Sequence, residues 1–363
     1  MYTINMLSRA DSVKGQGVLS AYQEQVSLVK TELAEEFVCY ENRSGVCDIM
    51  HYHTINPEFY MLRNLSRGRC VSVGYVHFLP ETLENSLKLP DHIREIFYRY
   101  VIHFYKSMDY LVTVNPYFIG RLAEYGIEPE RVTYIPNFVS EEKFYPLPEE
   151  EKAQLRKKYG VPENAFLVFC AGQLQKRKGF FDYIELARRM PDVTFLWAGN
   201  FAFGMISDGH KEIQEILENP PENFKLLGLI ERDKMNELYN MTDLMLLPSF
   251  EELFPMTILE SMNSHTPILL RDLDIYHDIL FDFYLRADSV DGFVGQIQKL
   301  KENPEYYRTA VEMSARGHAF YSRENVAKMW RNFYHEILSK GPAKRRRKPA
   351  GARGKVRTES AAQ

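Results

Sequence analysis

Short apolar runs, each ending in a polar loop, alternate with stretches of helical spacing along nearly the whole chain. Tyr2 to Leu7 predicts a first strand. After the loop S-R-A-D-S-V-K-G-Q-G-V, a helix from about Leu19 carries Tyr22, Val26 and Val29 on one face. Asp48 to His53, Cys70 to His77, Leu111 to Val114 and Val132 to Pro136 read as further strands. Leu89 to Tyr110 is spaced as a helix, with Ile93, Phe97, Tyr100, Val101 and Phe104 predicted to face the core. The second half repeats the alternation. Strands are predicted at Ala165 to Ala171, Thr194 to Ala198, Phe224 to Leu227 and Leu244 to Leu247. Helices follow at Phe180 to Met190, Lys234 to Met241, from Met256, and from Asp291 to Leu338. This pattern predicts the α/β class, with two Rossmann-like domains built on parallel sheets. The proline-rich, charged P-L-P-E-E-E-K reads as a linker and places a boundary near Leu147. The expected domains are 1–147 and 148–318. A C-terminal helix, 319–339, has a return to the first domain left open, and a tail covers 340–363.

Composition narrows the class. A chain of 363 residues suffices for two domains, each with its own core. Hydrophobic content of 45% and charge of 26% describe a soluble globular protein, and no apolar run approaches the roughly 18 residues of a membrane span. No secretory signal opens the sequence. Cys39, Cys47, Cys70 and Cys170 form no C-x-x-C pair and read as reduced thiols. The ten histidines show no H-E-x-x-H spacing, so no metal site is expected. Charge is uneven: residues 340–363 carry nine basic side chains and one acid, so the net charge of −4 leaves residues 1–339 at −12. Such an acidic body argues against nucleic acid as a partner, and the tail is disordered by composition.

The stretch from Asp243 to Met262 concentrates candidate chemistry. A buried strand ends at Pro248, a helix starts near Met256, and Glu252 and Glu260 bracket the join with seven residues between them. Free N–H groups at a helix start favour anions, which makes Met256 and Thr257 candidate phosphate contacts. The loop Gly172 to Gly179 holds Lys176, Arg177 and Lys178; the cluster is either a diphosphate rest or a solvated turn. Gly199 opens the loop F-A-F-G, suited to a flat ring, and His77 lies at the carboxyl end of its strand. His51 and His53 read as core or strand-end residues. Gly15, Gln16 and Gly17 allow close backbone approach to a ligand or form a plain turn. On the Leu89–Tyr110 helix, Tyr98, Ile102 and Tyr105 interleave with Arg94, Arg99, His103 and Lys106. That surface fits an interfacial membrane helix or a thickly packed helix with a solvated edge; both readings stay open.

Together these motifs resemble the retaining glycosyltransferases of family GT4, which share the two-domain GT-B fold with sheets facing across a cleft. Glu252 and Glu260 match the family's E-x7-E. V-F-C-A-G-Q-L-Q-K-R-K-G resembles G-R-L-x-x-x-K-G, with Lys178 on the diphosphate-binding lysine and Gln173 where the family has arginine. Arg177 is the expected substitute. I-P-N-F-V resembles the family's hinge I-P-N-G-V, His77 matches the histidine near the donor sugar, and Gly15-Gln16-Gly17 falls on its glycine-rich loop. N-M-L-S-R-A-D-S-V-K-G-Q-G-V and V-H-F-L-P-E-T-L-E-N-S-L-K-L-P further resemble bacterial synthases adding a second hexose to monoglucosyl-diacylglycerol. The resemblance implies UDP-glucose or UDP-galactose as donor, a glycolipid acceptor, no metal or other cofactor, and an anionic membrane surface on the cytoplasmic face as partner. It implies His77, Glu252 and Lys178 as catalytic. Gly15, Gln16, Gly17, Gln173, Arg177, Gly199, Met256, Thr257 and Glu260 are implied as donor-binding. Arg94, Tyr98, Arg99, Ile102, Tyr105 and Lys106, with tail residues Arg345, Arg346, Arg347 and Lys348, are the expected membrane contacts. Alternatives are another acceptor (diacylglycerol, a teichoic acid or a polysaccharide precursor) and a membrane-binding relative without activity.

Overall fold

The computed structural model describes residues 1–10, 17–80, 90–162, 164–201, 209–252 and 254–342. The strands are β1 (Tyr2–Leu7), β2 (Phe37–Glu41), β3 (Ile49–Tyr52), β4 (Val71–Val76), β5 (Tyr110–Thr113) and β6 (Val132–Tyr134) in the first lobe. The second lobe holds β7 (Phe166–Ala171), β8 (Val193–Ala198), β9 (Phe224–Gly228), β10 (Leu244–Leu247), β11 (Ile268–Arg271) and β12 (Leu285–Ala287). Each lobe is one six-stranded sheet, ordered β2-β1-β3-β4-β5-β6 and β12-β11-β10-β7-β8-β9. The pairings are parallel in both, for example Ile4 opposite Cys39 and Ile49, and Val168 opposite Leu244 and Phe195. Parallel sheets need both faces covered, which is why β3, β4, β5, β10 and β11 are buried at every position.

The chain reverses its direction of growth between β1 and β3 in the first sheet, and between β7 and β10 in the second. Ligands of open α/β sheets bind at the carboxyl ends of strands beside such a reversal. The loops after β1, β3, β7 and β10 therefore stand at the edges where ligands of such sheets bind.

One face of the first sheet buries Leu7, Met50, Tyr52, Val76 and Leu111 under Val101, Phe104 and Tyr105 of the Asp91–Ser107 helix. The other face, with Ile4, Ile49, Val73 and Tyr75, belongs to a core continuous with that of the second lobe. The final helix, Arg323–Lys340, packs on this first lobe. Tyr334 accepts from Gln25 Nε2 at 3.0 Å and meets His51 Nδ1 at 3.1 Å, while Arg323 pairs with Glu32 at 3.0 Å.

The structure corrects several local expectations. The helix predicted to reach Tyr110 ends at Ser107, and Tyr110 starts β5. The charged part of the supposed linker is itself a helix, Glu149–Tyr159. Three glutamates occupy its first turn and Arg156, Lys157 and Lys158 its last, the arrangement that complements the helix dipole. Ile93, assigned to the core, is 45% exposed, whereas Tyr105, assigned to the surface, is fully buried and donates to Phe78 O at 3.0 Å. The 3.6-residue period fixes a stripe, but not which end of the helix extends past the sheet.

Candidate active site

The loops after β7 and β10 meet at the reversal point of the second sheet. Lys178 ends a 3-10 turn, Lys176–Lys178, and its Nζ forms an ion pair with Glu252 Oε1. Both side chains are largely buried. Phe250 N donates to Arg177 O at 2.8 Å, stitching the two loops together by backbone. Burial pushes the Lys178 ammonium below the ordinary lysine range, Arg177 pushes it further down, and Glu252 opposes both. Around the pair lie buried polar atoms without partners among the described residues: Gln175 Oε1, Arg177 Nε, Ser249 Oγ, Thr257 Oγ1 and Tyr276 OH. Buried polar atoms are normally satisfied, so a group of orphans on these two loops and on the adjoining Met256–Asn263 and Asp274–Leu280 helices marks a surface built for a polar ligand. The Met256–Asn263 helix begins beside them behind Pro255, and its first N–H groups have no intrahelical acceptor.

The depressed lysine makes a testable statement about pH. As pH rises through the lowered pKa, Lys178 loses its charge, so kcat/KM is expected to fall at a pH below the usual lysine range. Arg177→Gln removes a like charge and should move that alkaline limb upward. A limb that stays put in this variant would contradict the assigned cause.

Glu260 lies one turn into the same helix and is 6% exposed. Its Oε2 accepts from Tyr239 OH at 2.8 Å, and Arg232 Nη2 stands 3.5 Å from its Oε1. Burial raises its pKa, while Arg232 and the Tyr239 bond lower it. Gly199, at φ +143°, closes the end of β8 so tightly that a Cβ would lie 1.9 Å from Gly172 O. Gln173 is half-buried in the β7 loop. Gly17 opens the Gly17–Glu32 helix, while Gly15 and Gln16 lie outside the described residues, as do Arg345, Arg346, Arg347 and Lys348.

At the carboxyl edge of the first sheet, a cavity of about 410 Å³ is lined by Arg9, His53, Ile55, His77, Phe97 and Tyr100, among others. The His77 ring stacks on Tyr75 at 4.3 Å and 11°, its Nε2 has no partner among the described residues, and burial lowers its pKa to about 3. His77 is therefore a neutral imidazole at pH 7. His53, read from sequence as a core or strand-end residue, joins the stack 6.1 Å away and lines the same cavity, with neither ring nitrogen bonded among the described residues. The two histidines directly follow adjacent strands, His53 after Tyr52 of β3 and His77 after Val76 of β4, a relation visible only once β3 and β4 are paired. A larger cavity, about 790 Å³, opens at the hinge, among Lys143, Tyr145, Lys158, Arg232 and Asn236. Neither Lys178 nor Glu252 lines it.

Residues 151–317 match the family model Glycosyl transferases group 1, and residues 42–143 match Glycosyltransferase Family 4. The chain is 44% identical over 338 residues to the alpha-galactosylglucosyldiacylglycerol synthase of Streptococcus pneumoniae, covering 93% of this chain and 90% of that one. It belongs to the group 1, family 4 glycosyltransferases. A processive diacylglycerol alpha-glucosyltransferase of Acholeplasma laidlawii is 26% identical over 251 residues, covering 68% of this glycosyltransferase and 73% of its relative. The fold is GT-B. Anabaena HepE, solved in complex with UDP-glucose, superposes with a TM-score of 0.72 at 15% identity, over 93% of this chain and 100% of its own. Sucrose-phosphate synthase of Thermosynechococcus elongatus gives 0.75 at 14% identity, over 94% and 100%.

In this glycosyltransferase, half-buried Tyr98, Ile102, Arg94 and Lys106 and exposed Arg99 occupy the Asp91–Ser107 helix. Arg99 pairs with Glu95 at 2.5 Å. The apolar exposure lies elsewhere on that helix, at Ile93 (45%) and Ile96 (67%). The adjoining Pro57–Leu65 helix, joined to it by Tyr60 OH and His103 Nε2 at 2.7 Å, exposes Met61 and Leu65. Among the described residues, no helix is long and apolar enough to cross a membrane.

Proposed function

We propose that this glycosyltransferase moves a hexose from a UDP-sugar to monoglucosyl-diacylglycerol, with retention at the anomeric carbon and without a metal ion. The observation that carries the reading is the buried Lys178–Glu252 pair at the sheet reversal, ringed by unpartnered polar atoms. Cleavage of the sugar–phosphate bond builds oxocarbenium character on the hexose and negative charge on UDP. Lys178, Arg177 and the Met256–Thr257 helix start meet that charge as fixed, preorganised positive groups. Glu252 accepts from donor-sugar hydroxyls and Glu260 from the ribose. His77, neutral, contributes a hydrogen bond to the sugar or its phosphate from the other lobe. The acceptor hydroxyl passes its proton to the departing phosphate oxygen, so no separate base is required. The resemblance to a galactosylglucosyldiacylglycerol synthase supports the lipid acceptor.

The deciding experiment is lipid-product analysis with UDP-galactose and UDP-glucose separately, with and without monoglucosyl-diacylglycerol in anionic vesicles. A diglycosyl product that depends on the added glycolipid, and persists in EDTA, is the expected result. Product formed on diacylglycerol alone, or abolished by EDTA, would overturn the acceptor or the metal-free chemistry respectively.

A peripheral seat on the cytoplasmic membrane face follows from the same reading. Ile93 and Ile96, three residues apart, share one helix face, as do Met61 and Leu65, four apart. Apolar side chains flanked by cations are what an interfacial helix presents to lipid. Replacing Ile93 and Ile96 together by glutamate should weaken sedimentation with anionic vesicles at least about tenfold, roughly 1.4 kcal/mol, while UDP binding is retained. Unchanged sedimentation would remove this helix from the membrane surface.

A further inference from the structure

Glu260 is held by residues that the donor chemistry does not explain. The segment after β9 supplies both: Arg232, in the 3-10 turn Arg232–Lys234, faces its Oε1, and Tyr239, on the Met235–Met241 helix, donates to its Oε2. Arg232 also reaches into the other lobe. Its Nη2 is 3.3 Å from Oε1 of Glu24 on the Gly17–Glu32 helix. Glu24 is 1% exposed, and Lys143 Nζ approaches the same Oε1 at 3.2 Å. Among the described residues its second oxygen, Oε2, has no partner, nor has Arg232 Nε. The Arg232 guanidinium rests 5.7 Å from the centre of the Phe144 ring.

We propose that Arg232 is a positioning residue for the donor: by bridging Glu260 to Glu24 it ties the ribose-binding carboxylate to the opposite lobe. This rests on the reading of Glu260 as the ribose partner. One guanidinium serving two buried carboxylates has a specific consequence. It stabilises the ionised form of Glu260, the form that accepts two hydroxyl bonds, while Glu24 repels that form. The groups facing Glu260 carry matching signs: burial raises its pKa, Arg232 and Tyr239 lower it, and Glu24 raises it. An interlobe salt bridge that only held the domains together would leave the pH dependence of nucleotide binding alone. A clasp on the binding carboxylate cannot. Arginine suits the role better than lysine, because a planar fork can address both carboxylates from one position.

The test measures UDP affinity by calorimetry across pH in the full chain. Arg232→Met should weaken UDP binding at least about tenfold at pH 7 and move the acid limb of the affinity profile to higher pH. Arg232→Lys should recover part of the loss. Glu24→Gln, on the Gly17–Glu32 helix of the other lobe, should move the same limb to lower pH. In the double variant the two effects should fail to add, because Arg232 and Glu24 touch each other and both act on the charge of Glu260. Parental affinity in Arg232→Met, or acid limbs displaced in the same direction by Arg232→Met and Glu24→Gln, would overturn the proposal. Glu260→Gln separates the levels. If it weakens UDP binding while Arg232→Met does not, the clasp alone fails. If it binds UDP as the parent does, the ribose reading fails and the clasp with it.

Discussion

Replacing Lys178 by alanine is expected to lower kcat/KM for the UDP-sugar by at least about a hundredfold, the scale seen when one preorganised charge-stabilising donor is removed. Two losses combine. The departing diphosphate loses a buried cation whose field is little screened by water, and Glu252 loses the partner of its Oε1. Arginine should not restore activity. Its fork is larger than an ammonium, and the site is already crowded by Arg177 next in sequence. The companion substitution Glu252→Gln separates sugar from nucleotide: it should weaken UDP-hexose binding while leaving UDP itself nearly unaffected, whereas Lys178→Ala weakens both. Calorimetry with the two ligands, beside a thermal melt to establish folding, checks the distinction. Turnover within threefold of the parent in a folded Lys178→Ala protein would remove this lysine from the chemistry.

The parts of this site that could be read from sequence are those that are local. β7 and β10 are continuous apolar runs, their loops carry K-R-K-G and E-x7-E within a few residues, and each loop follows its strand directly. Strand–loop–helix order then puts Lys178 and Glu252 on one edge before any coordinate is known. What stayed hidden depends on distance along the chain. Glu24 and Arg232 are 208 residues apart, and no spacing rule connects them. His53 reads as a core or strand-end residue in the sequence. It gains a cavity only when β3 lies beside β4 and both histidine rings pack against Tyr75. Edge strands were missed for a related reason: β12 is three residues long and β2 is only half-buried. Neither shows the full apolar run that identifies a strand buried on both faces.

A second large effect is expected at Gly179, where the loops after β7 and β10 touch. Its φ is +72°, and a Cβ there would stand 2.2 Å from Pro248 O and 2.7 Å from Pro248 C. Pro248 O cannot retreat easily, because it also accepts from Arg271 Nε at 2.9 Å. Gly179→Ala therefore carries two costs. The left-handed backbone adds about 1 kcal/mol for a residue with a Cβ, and relieving the contact requires the β7 and β10 loops to part. Together they should lower unfolding stability by about 3 kcal/mol or more, readable in urea titration. Gly160 provides the control: its φ is +71°, with nothing within 4 Å of an added Cβ, so Gly160→Ala should cost only the backbone share. Activity should fall further in Gly179→Ala than stability alone explains. Lys178 precedes it directly, and any parting of the loops breaks the Lys178–Glu252 pair. Equal destabilisation at the two glycines would mean that the loops have room to spare, and the tight joint between them would no longer account for how the pair is held.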